Sequence, residues 1–449
     1  MGLPSTTTIG LGSHAQLPPE IWHVIFVFAT YYGGDDCNAA EYTPFQPCGV
    51  EESTHTLEES IAPSCCTVRA QRLKTCSALV RVCRLWRTLS EAFLYKDIRI
   101  GSIHVLRNLV CAMRRSATED GIGGLGRFVK RLELRPKLVQ LKYASSLFQA
   151  PLPSSGPPTV GLGDLLRYCP YLETLARLPL RLDAEGLQFW GALASTPLES
   201  DHFLCPHLKR LEWSESDLDM RFYGTSNQMR LSEIVSHSPE LRFLVVDRPD
   251  RLFDLPLGRS LQTIRLNQPQ STCRPATTAN FCIPCNAINP TNLILHMPVS
   301  RAMQSLMVAI GLHIRVLELT FAPQVTYSSK QMHRIFVHCP HLEQLAYHLG
   351  APELSPLVGF HHHALRRVRL RIDLDEWFPY KQIVLTQFEI LAGPSFPGLK
   401  QIVLHDKSRS FSRRASAAPL LRRIASRGCA VIHEDGSAAY KIQVPRRTS

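Results

Sequence analysis

One short phrase recurs along most of the chain, and it limits the available folds more than any other feature. Its form is Leu-x-x-Leu-x-Leu, with other apolar residues standing in for some leucines. Copies begin at Val129, Leu172, Leu208, Leu241, Leu261, Ile314, Leu342, Leu365 and Leu399. Apolar and polar residues alternate at its end, which is the period of a half-buried strand. Four copies follow Cys169-Pro170, Cys205-Pro206, Ser238-Pro239 and Cys339-Pro340, and Phe396-Pro397-Gly398 takes that place before Leu399. Proline does not continue a helix. The segments ahead of several of these pairs read as helix, as in 164–169, 231–237 and 330–339. A repeated unit of helix, Pro-turn and strand predicts an α/β fold, with parallel strands side by side and helices on the outer face.

The array is irregular. Successive copies start 43, 36, 33, 20, 53, 28, 23 and 34 residues apart, where strict repeats hold about 20 to 29. An unrelated α/β domain is the alternative. One insertion, 267–292, holds seven Pro or Cys residues. Near the end, Pro419–Ser426 reads as a short helix stopped by Gly428. Ala430–His433 and Tyr440–Val444 then alternate around Asp435-Gly436, a hairpin pattern that would cap the last open repeat.

The first hundred residues follow a different pattern. From Leu17 the sequence LPPEIWHVIFVFAT reads as a helix opened by prolines, apolar on nearly all sides. Residues 31–68 carry seven acids and no Lys or Arg, and read as a long acidic loop. Helical periodicity resumes at Thr67, with Leu73, Cys76, Leu79, Val80, Cys83, Trp86 and Leu89 on one stripe. A short strand follows through Ile98 and Ile100.

These residues resemble an F-box. The opening pattern is matched by Leu17, Pro18, Glu20, Ile21, Ile25 and Phe26. The second is matched by Leu79, Val80, Val82, Cys83, Trp86 and Arg87, and the last by Leu94, Tyr95, Ile98 and Ile100. The pieces occur in the family's order, and the acidic insertion between the first two resembles that of F-box proteins of mushroom-type fungi. The body similarly resembles the degenerate leucine-rich repeats that accompany many F-boxes, although the Asn of a strict repeat is mostly absent. The resemblance implies a small helical F-box followed by an irregular repeat solenoid. It implies an F-box subunit that brings a protein substrate to a Skp–cullin–RING ubiquitin ligase without chemistry of its own. By that resemblance Leu17, Pro18, Ile21, Ile25, Phe26, Leu79, Val82 and Trp86 meet the Skp-type adaptor. The organisation expected is a disordered 1–16, an F-box over 17–100 with its insertion at 31–68, a repeat body over 101–418, and a cap with a basic tail over 419–449.

Charge supports no stronger claim about partners. The formal net charge is +12. From His405 onward there are ten bases and three acids, so +7 of that total lies in the tail. A nucleic-acid-binding protein using this tail, and a non-catalytic interaction scaffold, are the alternative functions. The N-terminus lacks the apolar segment of a signal peptide, and no run approaches the roughly 18 apolar residues of a membrane span. A cytoplasmic or nuclear protein with reduced cysteines is expected, with Cys83, Cys169 and Cys339 behaving as small buried hydrophobes. Cys282 and Cys285 have half of a zinc spacing but no second close pair, so neither metal nor cofactor is expected. His361–His363 reads as the turn before Leu365, and the glycines of 121–126 as a flexible link. No nucleophile or metal motif accompanies a base, so no enzyme activity is expected.

Overall fold

The computed structural model describes residues 17–30, 65–120, 124–135, 161–177, 205–214, 231–247, 252, 255–267, 289–296, 301–319, 327–348, 354, 360–371, 386–405 and 418–439. Residues 1–16, most of the acidic insertion, Cys282, Cys285 and the chain beyond 439 lie outside them.

Three helices come first: α1 (Pro19–Thr30), α2 (Cys65–Leu79) and α3 (Arg84–Tyr95). Twelve strands follow, β1 (Asp97–Ile100), β2 (Arg131–Leu134), β3 (Thr174–Arg177), β4 (Arg210–Trp213), β5 (Phe243–Val246) and β6 (Thr263–Asn267), then β7 (Asn292–His296), β8 (Val316–Leu319), β9 (Gln344–His348), β10 (Arg367–Arg371), β11 (Gln401–His405) and β12 (Ala430–His433). They form one sheet in sequence order, and every neighbouring pair is parallel. All nine phrases end in strands of this sheet.

The Cys-Pro-x-Leu phrase has a local physical reason. The amide of Leu172 donates to the Cys169 carbonyl at 3.2 Å, and Leu208 to Cys205, Leu241 to Ser238 and Leu342 to Cys339 at 3.1 Å each. Each bond closes a four-residue turn with proline at its second position, where a fixed φ suits the turn. The first and last side chains are buried at all four sites. The chain then enters the strand through a second recurring bond. The Lys130 carbonyl accepts from the amides of both Glu173 and Thr174 at 2.9 Å, and the Lys209 carbonyl accepts from Arg242 and Phe243 likewise.

Alternate strand residues divide the sheet into two faces. Leu132, Leu175, Leu211, Leu244, Ile264, Leu293, Leu317, Leu345, Val368, Ile402 and Val431 form a continuous buried row in register. Helices cover this face. They contribute Val110 and Met113 from α4 (Ile103–Asp120), Leu165 from α5 (Leu162–Arg167), Leu306 from Arg301–Ile310, Ile335 from Ser329–His338 and Leu421 from Ala418–Ser426. Short helical stretches over 231–236 and 386–391 add Ile234 and Phe388. The core is therefore one stack of like layers. A second inward row is interrupted at β3, where Arg177 stands between Leu134 and Trp213. Its guanidinium lies 5.0 Å from the Trp213 ring and donates to the Ser214 carbonyl.

Four local expectations are corrected. β7 begins at Asn292, where the insertion read at 267–292 ends, and adds a unit that the nine phrases do not count. Its unit was hidden because Pro290 stands where the other units have Leu, yet it lies 29 residues after Leu261 and 24 before Ile314. The single helical stripe beyond Thr67 is broken between Leu79 and Arg84. Cys83 there has extended backbone, and its sulfur accepts from the Trp86 amide at 3.5 Å as the cap of α3. That places Cys83 in an exposed position, not a buried one. The glycine segment is no flexible link from Gly124 onward. It forms the short 3₁₀ helix Gly124–Phe128, with Gly124 and Gly126 both buried.

The two ends of the sheet are covered differently. At the start, α3 leads directly into β1 and packs against Gly124–Phe128. At the other end, Gly428 takes a φ of 79° after the helix Ala418–Ser426. The chain turns again at Gly436, and Ala438 bridges back antiparallel to Ile432 on the outer edge of β12. The expected return segment Tyr440–Val444 lies outside the described residues.

Burial pushes the Cys205 and Cys339 thiols up to about 12 and raises that of Cys169 further. Thiolate is the reactive form. Iodoacetamide at mildly alkaline pH is therefore expected to label exposed Cys83 and Cys111 in the folded protein while sparing these three. Peptide mapping reads the result, and labelling of Cys205 as fast as Cys83 would contradict this packing.

Candidate docking surface on the N-terminal helices

Helix α1 is apolar on nearly every side, but the fold buries only a seam of it. Phe26 and Thr30 are buried and Trp22 is half-buried. These positions are four residues apart and so share one face. Trp22 and Phe26 clasp Trp86 of α3, with ring centroids 4.7 and 5.1 Å away. The Thr30 hydroxyl donates to the Phe26 carbonyl at 2.7 Å. His23 adds a tilted ring contact to Phe93 of α3, with centroids 5.2 Å apart. On the second helix, burial pushes the Cys76 thiol up, against the opposing influence of Arg72.

What remains outside is a stripe of large apolar side chains. Leu17, Ile21, Val24, Ile25 and Phe28 are exposed, Phe28 by 75%. Spacings of three and four place Ile21, Val24, Ile25 and Phe28 on neighbouring turns of one side. Scattered apolar residues are ordinary on a surface, whereas a contiguous stripe on one helix marks an interaction site. Val82 and Leu85, at the turn into α3, are also exposed.

The residues expected to meet an adaptor thus occupy three settings. Leu17, Pro18, Ile21 and Ile25 lie exposed on or just before α1. Leu79 ends α2 half-buried, and Val82 is exposed in the following turn. Phe26 and Trp86 meet each other inside the aromatic seam and hold α1 on α3. Sequence reasoning left out Phe28, Val24 and Leu85. Phe28 was discoverable as the residue seven after Ile21, two helical turns on.

The comparisons add little to this geometry. No family model matches the chain, and no curated protein matches it. Among solved structures it is similar to the leucine-rich repeat-containing protein LegL7 from Legionella pneumophila, at 13% identity and a TM-score of 0.38, over 75% of this chain and 94% of that one. The parallel, in-register stack is established by the strand pairing itself.

The chemistry the surface offers is apolar association. Its titratable groups on α1 are Glu20 and His23 alone. Among the described residues, no cluster of three or more His, Cys, Asp and Glu side chains is placed to hold a metal ion. No described helix is long and apolar enough to cross a membrane. The three consecutive histidines form a structural turn. His361 Nδ1 is 3.0 Å from the Pro394 carbonyl, and buried His362 reaches the Cys339 carbonyl through Nε2 at 2.9 Å. Burial holds the His362 ring below its ordinary pKa.

Proposed function

We propose that the chain is the substrate-receptor, or F-box, subunit of a Skp–cullin–F-box ubiquitin ligase. In this reading α1 to α3 bind a Skp-type adaptor, and the repeat body holds a protein substrate. The chain itself performs no chemistry, needs no cofactor and works in the cytoplasm or nucleus. The observation that supports the reading most is the α1 stripe, a row of large apolar side chains that the chain's own fold leaves in water. An amphipathic helix of this kind fits a partner's apolar groove. The order of the three sequence pieces selects which partner.

Co-purification of the full chain with a Skp-type adaptor tests it. Burying one Ile or Phe side chain contributes about 1.5–3 kcal/mol, and a buried unpaired charge costs more. Ile21→Asp with Ile25→Asp is therefore expected to abolish association at a much smaller cost in thermal stability than a change at Phe26, since both side chains are partly exposed and Phe26 is fully buried. Phe26→Asp is the wrong probe, because it would open the seam against Trp86. A wild-type chain that fails to bind the adaptor would overturn the proposal. Substrate turnover indifferent to cullin inactivation would favour an interaction scaffold acting outside the ligase.

A further inference from the structure

The face of the sheet opposite the core is not uniform along the stack. Among its first strands, charges are matched within the sheet. Arg99 meets Glu133 at 3.1 Å, and Arg210 meets Glu212 at 2.6 Å. The pattern changes at β9. The strands QLAYH, RVRLR and QIVLH contain three arginines and two histidines and not one acid. The inward residues Leu345, Tyr347, Val368, Leu370, Ile402 and Leu404 belong to the core. The alternating residues therefore point the other way. That puts Arg367, Arg369 and Arg371 in a line along β10. His348 and His405 stand beside Arg371 on the two flanking strands. Arg367 is exposed, and Arg369, Arg371 and His348 are half-buried. The His405 side chain is only 9% exposed, and burial, with Arg369 and Arg371 beside it, holds its pKa below the ordinary value, so the arginines carry the charge of the strip.

We propose that this strip binds an extended acidic peptide segment with carboxylates at every second residue. Arginines two residues apart on a strand are spaced about 6.6 Å. An extended peptide laid along β10 presents its own alternate side chains at the same interval. Each guanidinium offers a planar fork that fits a carboxylate. Gln344 and Gln401 flank Arg367 in register, and the nearest acid at that end among the described residues, Glu343, pairs with Arg315 at 2.6 Å. At the other end Glu434 lies 3.2 Å from His405 and limits how far the cationic surface extends. Arg369, Arg371, His348 and His405 also meet groups within the chain. What recognises the peptide is the sign and spacing of the strip. A single nucleic-acid strand fits less well, because the outward residues of β9 to β11 include no Phe, Tyr or Trp on which bases would stack. The inference concerns the repeat body alone and does not depend on adaptor binding.

The test uses the full-length chain without adaptor and a labelled synthetic peptide alternating Glu and Thr, read by fluorescence anisotropy. Binding is expected to weaken about tenfold for each of Arg367→Gln and Arg371→Gln. It should also fall with added salt. Arg367→Gln alters an exposed side chain, so its effect reports binding and not folding. A peptide of the same composition with its glutamates in one block should bind more weakly. Equal binding by wild type and both variants would overturn the proposal, as would equal binding of the two peptides. A single-stranded oligonucleotide that binds more tightly than the peptide, with the same arginine dependence, would replace the acidic peptide with nucleic acid and overturn it too.

Discussion

Gly126→Ala is expected to cost about 3 kcal/mol of stability, at the upper end of overpacking effects. Gly126 lies in the 3₁₀ helix ahead of β2, and a Cβ built there would fall 1.7 Å from the Tyr168 carbonyl oxygen. The obstacle is backbone, so no side chain can rotate away. Tyr168 is itself fixed, since it caps α5 with its backbone amide donating to the carbonyls of Leu165 and Leu166. Gly311 repeats the arrangement ahead of β8, where a Cβ would fall 2.4 Å from the His338 carbonyl oxygen. Both glycines stand five residues before their strand and face the helix end of the next unit. Gly428→Ala is the contrasting case. Its φ of +79° penalises a side chain, but nothing lies within 4 Å. That substitution should cost only about 1–2 kcal/mol. Urea titration of the three proteins ranks them, and a Gly126 variant more stable than the Gly428 variant would refute the assignment.

Glu212→Ala is expected to cost about 3–5 kcal/mol, because it strands a buried cation. Arg210 Nε donates to Glu212 Oε1 at 2.6 Å, and the two side chains are only 5% and 1% exposed. The guanidinium also lies 4.0 Å from the centre of the Phe243 ring. The two charges were removed from water together, so most of the cost of losing one is the cost of leaving the other. The double variant Arg210→Met with Glu212→Leu should therefore recover most of the loss. A double-mutant cycle measures the coupling. If Glu212→Ala lies within about 0.5 kcal/mol of wild type, as surface substitutions do, the pair is not buried in solution.

The strand phrase was legible because two local rules coincide in it. Alternation marks the strand, and proline at the second turn position marks its approach. Where one rule failed, the reading failed. β7 has the alternation in NLILH, but Pro290 replaces the first leucine and no Cys-Pro pair precedes it. The break at Cys83 carries neither Gly nor Pro, and a thiol is a weak capping acceptor. On α1, periodicity could identify an apolar helix but not which side its neighbours cover. Trp22, Phe26 and Thr30 became the seam because Trp86 stands opposite them, and that is a tertiary fact. The basic strip was invisible for a similar reason. Its five groups lie on three strands whose register partners are 23 and 34 residues apart in sequence, and only parallel register aligns them.

That register also makes the sheet a ruler. Neighbouring strands are about 4.8 Å apart, so the nine steps from β1 to β10 set the cationic strand on the order of 43 Å along the stack from the strand that α3 leads into. Anything gripped at β10 is held at a fixed reach from whatever grips α1. Each unit gained or lost between them would change that reach by about 5 Å, without altering either grip.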